Sequence, residues 1–402
     1  MPTKRELKLI AFSAVFLLFI AGCGSGDVAT GAPTTPFLGG TQGLEISFLE
    51  GSPPAEVTDG DTFPFQALVR LKNIGEHDIN KDEIKVGLVG FLPSQFNPSG
   101  TDAFDVTKLT NRKPSEDLKG RKRDAEGNIL EPVENFITFP EDNNKNFNFK
   151  DEIAGNNIFI FRADACYKYQ TRVKSDICVL QSQVDVAEGA ICNPSEAKAV
   201  FSSGSPIKVT SFRQNVAGSN KLQLSFDVEH IGQGEIFGLG ASIDEPAAIS
   251  TAKTALDTAI TTATATPNAI NVAGIATARD GLYNAISSDL TDVSCPKDST
   301  NRRKNEDLVT VTIDTGLSPV GGPAGVLNYK LDCVGLDDVP GGTAKQSKKV
   351  KLINGKRTIT CTLNLPTSSR TDFIKPVDIT LDFNYAQSAD KEVLVKHILN
   401  ID

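Results

Sequence analysis

The chain has 402 residues, a net charge of −9 and hydrophobic residues at 39% of its positions. This length exceeds what one hydrophobic core normally organises, so we expect two domains. The acidic balance argues against nucleic acid as a partner, and the absence of tryptophan argues against a carbohydrate-binding module, which needs broad aromatic surfaces.

The first 22 residues have the organisation of an export signal. Basic side chains precede an apolar stretch over residues 9–20, which is too short to stay as a permanent membrane-spanning helix. The following sequence, Ile20-Ala21-Gly22-Cys23, resembles the lipobox of prokaryotic lipoproteins, bacterial or archaeal. The resemblance implies that residues 1–22 are a signal peptide and that Cys23 becomes lipidated. The alternative is an ordinary secretory signal with a chance cysteine.

A lipobox determines where the mature chain lies. Removal of a leader with net charge +2 leaves a mature chain near −11. Residues 23–42 are rich in Gly, Thr and Pro, and predict a lipidated flexible tether with a reach of roughly 24 Å. We therefore expect an extracytoplasmic protein, anchored to the cell membrane by its N-terminal lipid. Its expected partners are other envelope or surface proteins.

Six cysteines remain once Cys23 is assigned to lipid. An exported chain lies where disulfides persist, and no pair has the C-x-x-C spacing of zinc or redox sites, so we expect three disulfides. Cys192 is our candidate for a bridge between the two halves, and the spacing of Cys166 and Cys178 suits a bridged hairpin. The six candidates are Cys166, Cys178, Cys192, Cys295, Cys333 and Cys361.

From residue 43 onward, short apolar alternations separated by Gly, Pro, Asn and Asp predict antiparallel strands. Strands this short, with turn signals between them, favour an antiparallel β-sandwich over a parallel sheet. Residues 92–157 form a long polar excursion, with weak strand candidates at 104–109 and 136–139. The other strands predicted in the first half cover residues 44–48, 63–73, 84–91, 158–169 and 177–179.

One internal repeat divides the chain. Residues 69–79 align with residues 226–236, and in each copy a strand runs into a polar residue, Ile and Gly, a short polar turn and another apolar residue. We expect both glycines to adopt a positive φ that reverses the chain. The repeat predicts two sandwich domains, over 43–200 and 205–402. A chance similarity is the alternative.

The stretches Leu71–Gly75 and Val228–Gly232 resemble CARDB-type and related immunoglobulin-like modules of bacterial and archaeal surface proteins, in which the second strand often ends in Asn-x-Gly. The second copy departs from this pattern with His230 in place of Asn. The resemblance implies a mainly β protein with two immunoglobulin-like antiparallel β-sandwich domains, acting as extracellular adhesive or spacer modules without catalysis.

The second half is interrupted at residues 245–290 by a segment rich in Ala and Thr. Apolar positions at helical spacing on both sides of Pro267 predict an inserted α-helical hairpin. A threonine-rich disordered or glycosylated stalk is the alternative. Asn354-Gly355 predicts a type I′ hairpin turn. Strands of the second half are predicted at residues 207–212, 226–230, 308–313, 327–334, 349–353, 358–363, 377–385 and 393–398.

The sequence contains none of the catalytic motifs that would define an enzyme class. It has no G-x-S-x-G, no phosphate-binding glycine loop and no H-E-x-x-H, and its three histidines are far apart. We therefore expect a non-catalytic protein without a cofactor. Structural calcium is the one alternative, because oxygen-rich loops suit hard cations, although acidic turn residues usually serve the turn itself. The calcium candidates are Asp59, Asp61, Glu141 and Asp142.

These features predict a lipid-anchored cell-surface protein with a structural or interaction role, such as adhesion, envelope scaffolding or service as an accessory subunit of a membrane complex. The main alternative is a ligand-capturing lipoprotein of a transporter, and a secreted hydrolase is more distant. A transporter lipoprotein should have a deep pocket between its halves. An adhesin should lack one and should expose residues 92–157 and 245–290 as contact surfaces.

Overall fold

A computed structural model describes residues 35–141, 144–240, 293–317, 329–339, 344–366 and 370–398, together with seven isolated residues between 251 and 277. Residues 1–34 form one unit and residues 35–402 another, and all described residues belong to the second unit. The predicted signal peptide and Cys23 therefore lie outside the described residues. So does nearly all of the predicted helical hairpin at 245–290, where the few described residues are helical.

Two antiparallel strands, β8 (Asn156–Val179) and β19 (Phe373–Lys396), pair along all 24 residues of each and form the centre of a nine-stranded sheet. Odd-numbered residues of β8 from Phe161 to Ile177 are buried, whereas their even-numbered neighbours are more exposed, so one face of the sheet packs on the core. The remaining strands of this sheet are β2 (Glu56–Thr58), β4 (Ile84–Val89), β10 (Phe201–Ser202), β13 (Glu235–Phe237), β14 (Leu308–Asp314), β16 (Asp337–Asp338) and β17 (Lys345–Lys351).

Two smaller sheets share the core with the large one, because a single cluster of buried side chains includes residues of all three. This confirms the prediction of a mainly β fold with antiparallel sheets. The three-stranded sheet has the order β1 (Leu44–Phe48), β3 (Ala67–Asn73), β7 (Asn135–Phe139). The five-stranded sheet has the order β15 (Lys330–Cys333), β18 (Lys356–Asn364), β12 (Lys221–His230), β11 (Ile207–Gly218), β9 (Glu196–Lys198).

The remaining described elements are short. Strands β5 (Lys122–Arg123) and β6 (Ile129–Leu130) form a separate hairpin. The helices are α1 (Pro93–Phe96) and α2 (Ser299–Asn305), with 3-10 turns at Lys81–Glu83, Gly100–Asp102 and Val106–Leu109. The predicted strand at 104–109 is therefore wrong, since this stretch contains one of the 3-10 turns.

The two strands predicted at 158–169 and 177–179 are parts of the single strand β8. The intervening polar residues indicated a turn, but two of them are buried with partners from distant parts of the chain. The Thr171 hydroxyl donates to the carbonyl of Ile207 at 2.7 Å, and that of Ser175 donates to the carbonyl of Ala199 at 2.8 Å. These bonds satisfy hydroxyl groups that burial would otherwise leave unpaired.

The Asn354-Gly355 turn is tight, as predicted. Both residues have positive φ, 52° and 74°, and the backbones of Ile353 and Lys356 exchange hydrogen bonds of 3.0 and 3.1 Å. The flanking strands then separate, because β17 joins the nine-stranded sheet and β18 the five-stranded one. The turn therefore connects two layers of the sandwich and does not close a two-stranded ladder.

The excursion at 92–157, which we expected to be polar and exposed as a contact surface, contributes to the core. Its phenylalanines join those of neighbouring strands in one aromatic cluster, in which Phe91 stacks on Phe161 with ring centroids 4.2 Å apart. Removing this segment would expose a large apolar area. The buried phenylalanines that the excursion supplies are Phe96, Phe104, Phe139, Phe147 and Phe149.

The end of the predicted tether also packs on the fold. The amide of Gly39 donates to a carboxylate oxygen of Glu76 at 2.6 Å, and the guanidinium of Arg172 lies over the ring of Phe37 at 5.8 Å. The same oxygen of Glu76, a buried residue, accepts a bond of 3.0 Å from the amide of Gly204. Residues 35–42 are therefore held against the body, which corrects the tether's predicted end at residue 42.

The predicted boundary between 43–200 and 205–402 does not divide the structure. Strand β8 of the first half pairs along its whole length with β19 of the second half, and β2 of the first half pairs with the end of β19 in parallel. Residues 35–402 form one unit. The nine-stranded sheet is therefore built from strands of both halves, although the three-stranded sheet belongs to the first half alone.

The two copies of the sequence repeat nevertheless occupy equivalent positions. Strand β3 ends with Asn73 opposite the first residue of β1, and β12 ends with His230 opposite the first residue of β11. The amide of Gly75 donates to the carbonyl just before β1, and that of Gly232 donates to the carbonyl just before β11, at 2.8 and 3.1 Å. The same contacts recur in the same order.

The equivalence extends to the long strands. The amide of His77 donates to the hydroxyl of Tyr169 on β8, and the amide of Gly234 donates to that of Tyr385 on β19, at 3.3 and 2.7 Å. Tyr169 and Tyr385 are 216 positions apart, so each residue of β8 corresponds to the β19 residue 216 positions later. Lys168 lies opposite its own counterpart, Asn384, which marks the centre of a two-fold relation.

The repeat glycines are needed for space. Neither Gly75 nor Gly232 has a positive φ, which corrects the sequence-based reason for them. A Cβ added at Gly75 would overlap the hydroxyl of Tyr169, and one added at Gly232 would overlap the hydroxyl of Tyr385. Close approach to a buried tyrosine is therefore what excludes a side chain here.

We expect Gly75→Ala and Gly232→Ala each to lower the free energy of unfolding by roughly 1–3 kcal/mol, because the added methyl forces the turn away from its tyrosine. Gly87→Ala is the matched control: it lies in β4, and its added Cβ would make only ordinary contacts at 3.6 Å. Urea denaturation of the three variants provides the comparison. Equal stabilities for all three would contradict the close-packing explanation.

All six cysteines that we assigned to disulfides are paired, as Cys166–Cys295, Cys178–Cys192 and Cys333–Cys361. A bridge between Cys166 and Cys178 is impossible, since both lie in β8 and the strand separates them by about 40 Å. Cys166–Cys295 joins the two halves, so the predicted role of Cys192 is wrong.

Non-reducing peptide mapping should recover these three pairs, and a different pairing would contradict the fold.

Candidate functional site

A cleft of about 1030 Å³ lies where the two halves meet. We call it the junction cleft. The first half contributes β1, β4 and β8, and the second contributes the repeat turn at 232–235, part of β19 and the segment 293–297. A pocket between the halves is the feature expected of a ligand-capturing lipoprotein.

The repeat turn is positioned in the cleft by Tyr385. The hydroxyl of this tyrosine accepts the amide of Gly234 at 2.7 Å and lies 3.1 Å from Nε2 of His230. Burial raises the pKa of Tyr385 to about 12, so the phenol is neutral at ordinary pH. The tyrosine therefore fixes the repeat turn by hydrogen bonds, and the turn holds Gln233 exposed at the cleft.

The edge of β1 forms the wall that faces β19. β1 has a partner, β3, on one side only. The amide of Leu44 donates to the buried hydroxyl of Tyr167 at 3.2 Å, and its carbonyl accepts Nε2 of Gln387 at 2.7 Å. Backbone groups of alternate residues point to the same side of a strand, so those of Ile46 also point toward the cleft.

The disulfide Cys166–Cys295 fastens one rim of the cleft to β8. Lys85 Nζ donates to the carbonyl of Val293 at 2.7 Å, and Asn384 Nδ2 lies 3.3 Å from the carbonyl of Ser294. The side chains of Phe237 and Val293 both line the cleft. Phe237 and Val293 therefore bring the described residues on both sides of positions 241–292 to the junction cleft.

The charged side chains of the cleft neutralise one another. Arg162 donates two hydrogen bonds to Asp390, of 2.6 and 2.8 Å, and this carboxylate raises the pKa of Arg162. Arg302 pairs with Glu235 at 2.7 Å, and Lys297 pairs with Asp164. A cleft with its charges balanced in this way is suited to select a ligand by shape and hydrogen bonding, not by net charge.

Asp59, a calcium candidate, is occupied by other partners. Its carboxylate is 3% exposed and accepts the amides of Ile153 and Ile398 at 2.9 and 3.2 Å and Nδ1 of His397 at 2.6 Å. Burial alone would raise the pKa of this carboxyl. The hydrogen bonds lower it by more than burial raises it, so the net shift is downward. Asp59 therefore fastens the end of β19 to the turn after β2.

The other calcium candidates do not converge with Asp59 on a common site. Asp61 is exposed in a turn with a φ of 62°, and Glu141 lies 3.6 Å from Arg112 and 3.8 Å from Lys108. Asp142 lies outside the described residues. Within the part of the chain that the structure describes, no group of three or more His, Cys, Asp or Glu side chains could hold a metal ion.

The histidines of the repeat pack on its tyrosines. His77 meets Tyr169 edge to face at 5.3 Å, and His230 meets Tyr385 at 5.7 Å. Burial lowers the pKa of His77 to about 4, and burial also lowers that of His230. Both rings are therefore neutral at ordinary pH.

The described residues contain no helix long and apolar enough to cross a membrane. No protein-family model matches the chain, and no curated protein matches it.

Sequence analysis missed the tyrosines that position the cleft. A signal for them existed in the matching patterns Tyr167-Lys-Tyr169 and Phe383-Asn-Tyr385, which alternate as strand residues do.

We predict a pH dependence of stability from His77. Its folded pKa lies below the ordinary value near 6.5, so stability is complete above that value and is lost as the pH falls toward 4. His77→Phe keeps a ring against Tyr169 but cannot take up a proton. Melting temperatures measured from pH 7 to 4.5 should fall less for this variant than for the wild type. Parallel curves would contradict the assignment.

Proposed function

We propose that this chain is a lipid-anchored extracytoplasmic protein with a non-catalytic interaction role, of the kind that supports adhesion, envelope scaffolding or a membrane complex. Three disulfides support a location in an oxidising compartment outside the cytoplasm. The lipobox at Cys23 supports attachment through lipid, and the repeat with its strand pairing supports an immunoglobulin-like relationship between the halves.

The junction cleft is the observation that carries the interaction role, and because we expected an adhesin to lack such a cleft, it favours a partner bound in the cleft over adhesion through projecting segments. It is concave and charge-balanced, and its walls are held by buried tyrosines and a disulfide, so its shape is present before any partner binds. Preorganised clefts lose less conformational entropy on binding than mobile loops do. We therefore place the principal contact surface in this cleft and not on the 92–157 excursion.

A ligand-capturing lipoprotein that serves a transporter is the second candidate. The position of the cleft between the halves favours it, since binding sites often lie at such junctions. The two proposals differ in the partner of the cleft, which is an envelope or surface protein in the first and a ligand passed to a permease in the second.

Lipid attachment is tested on the N-terminus of the native product. We expect mass spectrometry to find residues 1–22 removed and a diacylglycerol thioether on Cys23. Cys23→Ser should release the protein from the membrane fraction, because the proposed attachment is through the lipid on that sulfur. An unacylated sulfur with the leader still attached would contradict the proposed location.

The interaction role is tested by photo-crosslinking on intact cells of the native host. A photoreactive residue at exposed Gln233 should give adducts with a second protein, whereas one at Val334, which is 74% exposed and does not line the cleft, should give none. A permease as the crosslinked protein would favour the second candidate. Equal yields from both positions, or no adduct at Gln233, would contradict a partner in the cleft.

A further inference from the structure

The two-fold relation between the halves identifies one strand edge that is covered in one copy and open in the other. On β8 the backbone of Arg172 is fully engaged by the segment that includes β10. The carbonyl of Arg172 accepts the amide of Ser203 at 2.8 Å, and its amide donates to the Ser203 hydroxyl at 3.0 Å. β10 then pairs antiparallel with the next two residues of β8.

The equivalent of Arg172 on β19 is Ser388, 216 positions later. On the side of β19 that faces away from β8, β13 covers β19 as far as Ala386, and β2 covers it from Leu394 onward. The amide of Leu394 donates to Ala55 at 2.9 Å, so the even-numbered residues of β19 direct their backbone groups to this side. Ser388, Asp390 and Glu392 lie in the gap.

Within the described parts of the chain, no backbone group on this side of residues 388–392 is hydrogen-bonded. All three even-numbered residues are exposed, and Ser388 lines the junction cleft opposite the edge of β1. The open stretch of five residues is roughly 17 Å long, which matches a short strand. An unpaired edge of this kind is a template for a further strand.

The geometry points to a peptide-binding site: the open edge of β19 at 388–392 takes an extended segment of a partner protein as an added antiparallel strand. The inference rests on the proposed interaction role and names the form of the partner. The chain supplies the precedent itself, since β10 occupies the equivalent edge of β8 in the antiparallel sense. Main-chain hydrogen bonds supply affinity in this mode of recognition.

The same precedent defines the chemistry of the segment. The residues that cover β8 are Phe201, Ser202 and Ser203, an aromatic residue followed by small polar ones without charge. Near the open edge, Asp390 is paired with Arg162, and within the described residues the exposed Glu392 has no ion pair. We therefore expect a segment without acidic residues, in which an aromatic residue stands next to small polar residues.

The test is selection of a displayed library of twelve-residue peptides on the full chain, with Ser388→Pro as the discriminating variant. Proline removes the amide that points into the gap and leaves the bonds between β19 and β8 in place. Ser388→Ala keeps that amide and is the matched control. We expect selected peptides to be extended and to lack acidic residues, and to bind Ser388→Pro at least about tenfold more weakly than wild type or Ser388→Ala.

A second measurement does not depend on the folding of the proline variant. N-methylation of alternate peptide amides should abolish binding in one register and spare it in the other, because only one set faces β19. Peptide binding should also slow hydrogen exchange at Ser388 and Asp390. Selected peptides that bind both variants equally, or no selectable peptide at all, would overturn the site.

Two further outcomes are informative. A concentration-dependent dimer that Ser388→Pro abolishes would identify a second copy of the chain as the occupant and would overturn a partner segment. Photo-crosslinking at Gln233 that still captures a protein, when no peptide depends on Ser388, would leave the interaction role intact and reject only the added strand. The two proposals therefore fail separately.

Discussion

The pairing of β8 with β19 is the constraint on which the rest of the fold depends. It joins two strands, one from each half, that begin more than 200 residues apart. Closing such a long loop costs conformational entropy, which the buried face of both strands offsets. The disulfide Cys166–Cys295 then joins the middle of β8 to the second half, and the hydrogen bond between His397 and Asp59 joins the end of β19 to the first half.

A two-fold relation between the halves organises the architecture, and a departure from that relation creates the candidate site. Both copies place a glycine against a buried tyrosine, and both begin a strand beside that glycine. Among the described residues, only one copy covers the continuing edge of its long strand with a segment of the chain, β10. In the other copy the equivalent edge faces the junction cleft. The proposed binding surface therefore lies at the position that β10 occupies in the first copy.

Local patterns predicted local structure well. The strand at 44–48, the Asn354-Gly355 turn and the repeat were readable because alternation, turn chemistry and self-similarity act over a few residues. The continuity of β8 was not, since burial of Thr171 and Ser175 depends on partners brought in by other parts of the chain. The cleft could not be predicted either. It forms where the two halves meet, and how they meet depends on the register between distant strands, which local sequence patterns do not reveal.

The central claim is that the two halves form one cooperative body because they share β8 and β19. Native-state hydrogen exchange, followed with rising denaturant, tests it most directly. We expect the buried amides of β3 in the first half and of β12 in the second to exchange with one common free energy of opening, equal to that of the β8–β19 ladder. Two distinct free energies, with one half opening while the other remains protected, would contradict this account.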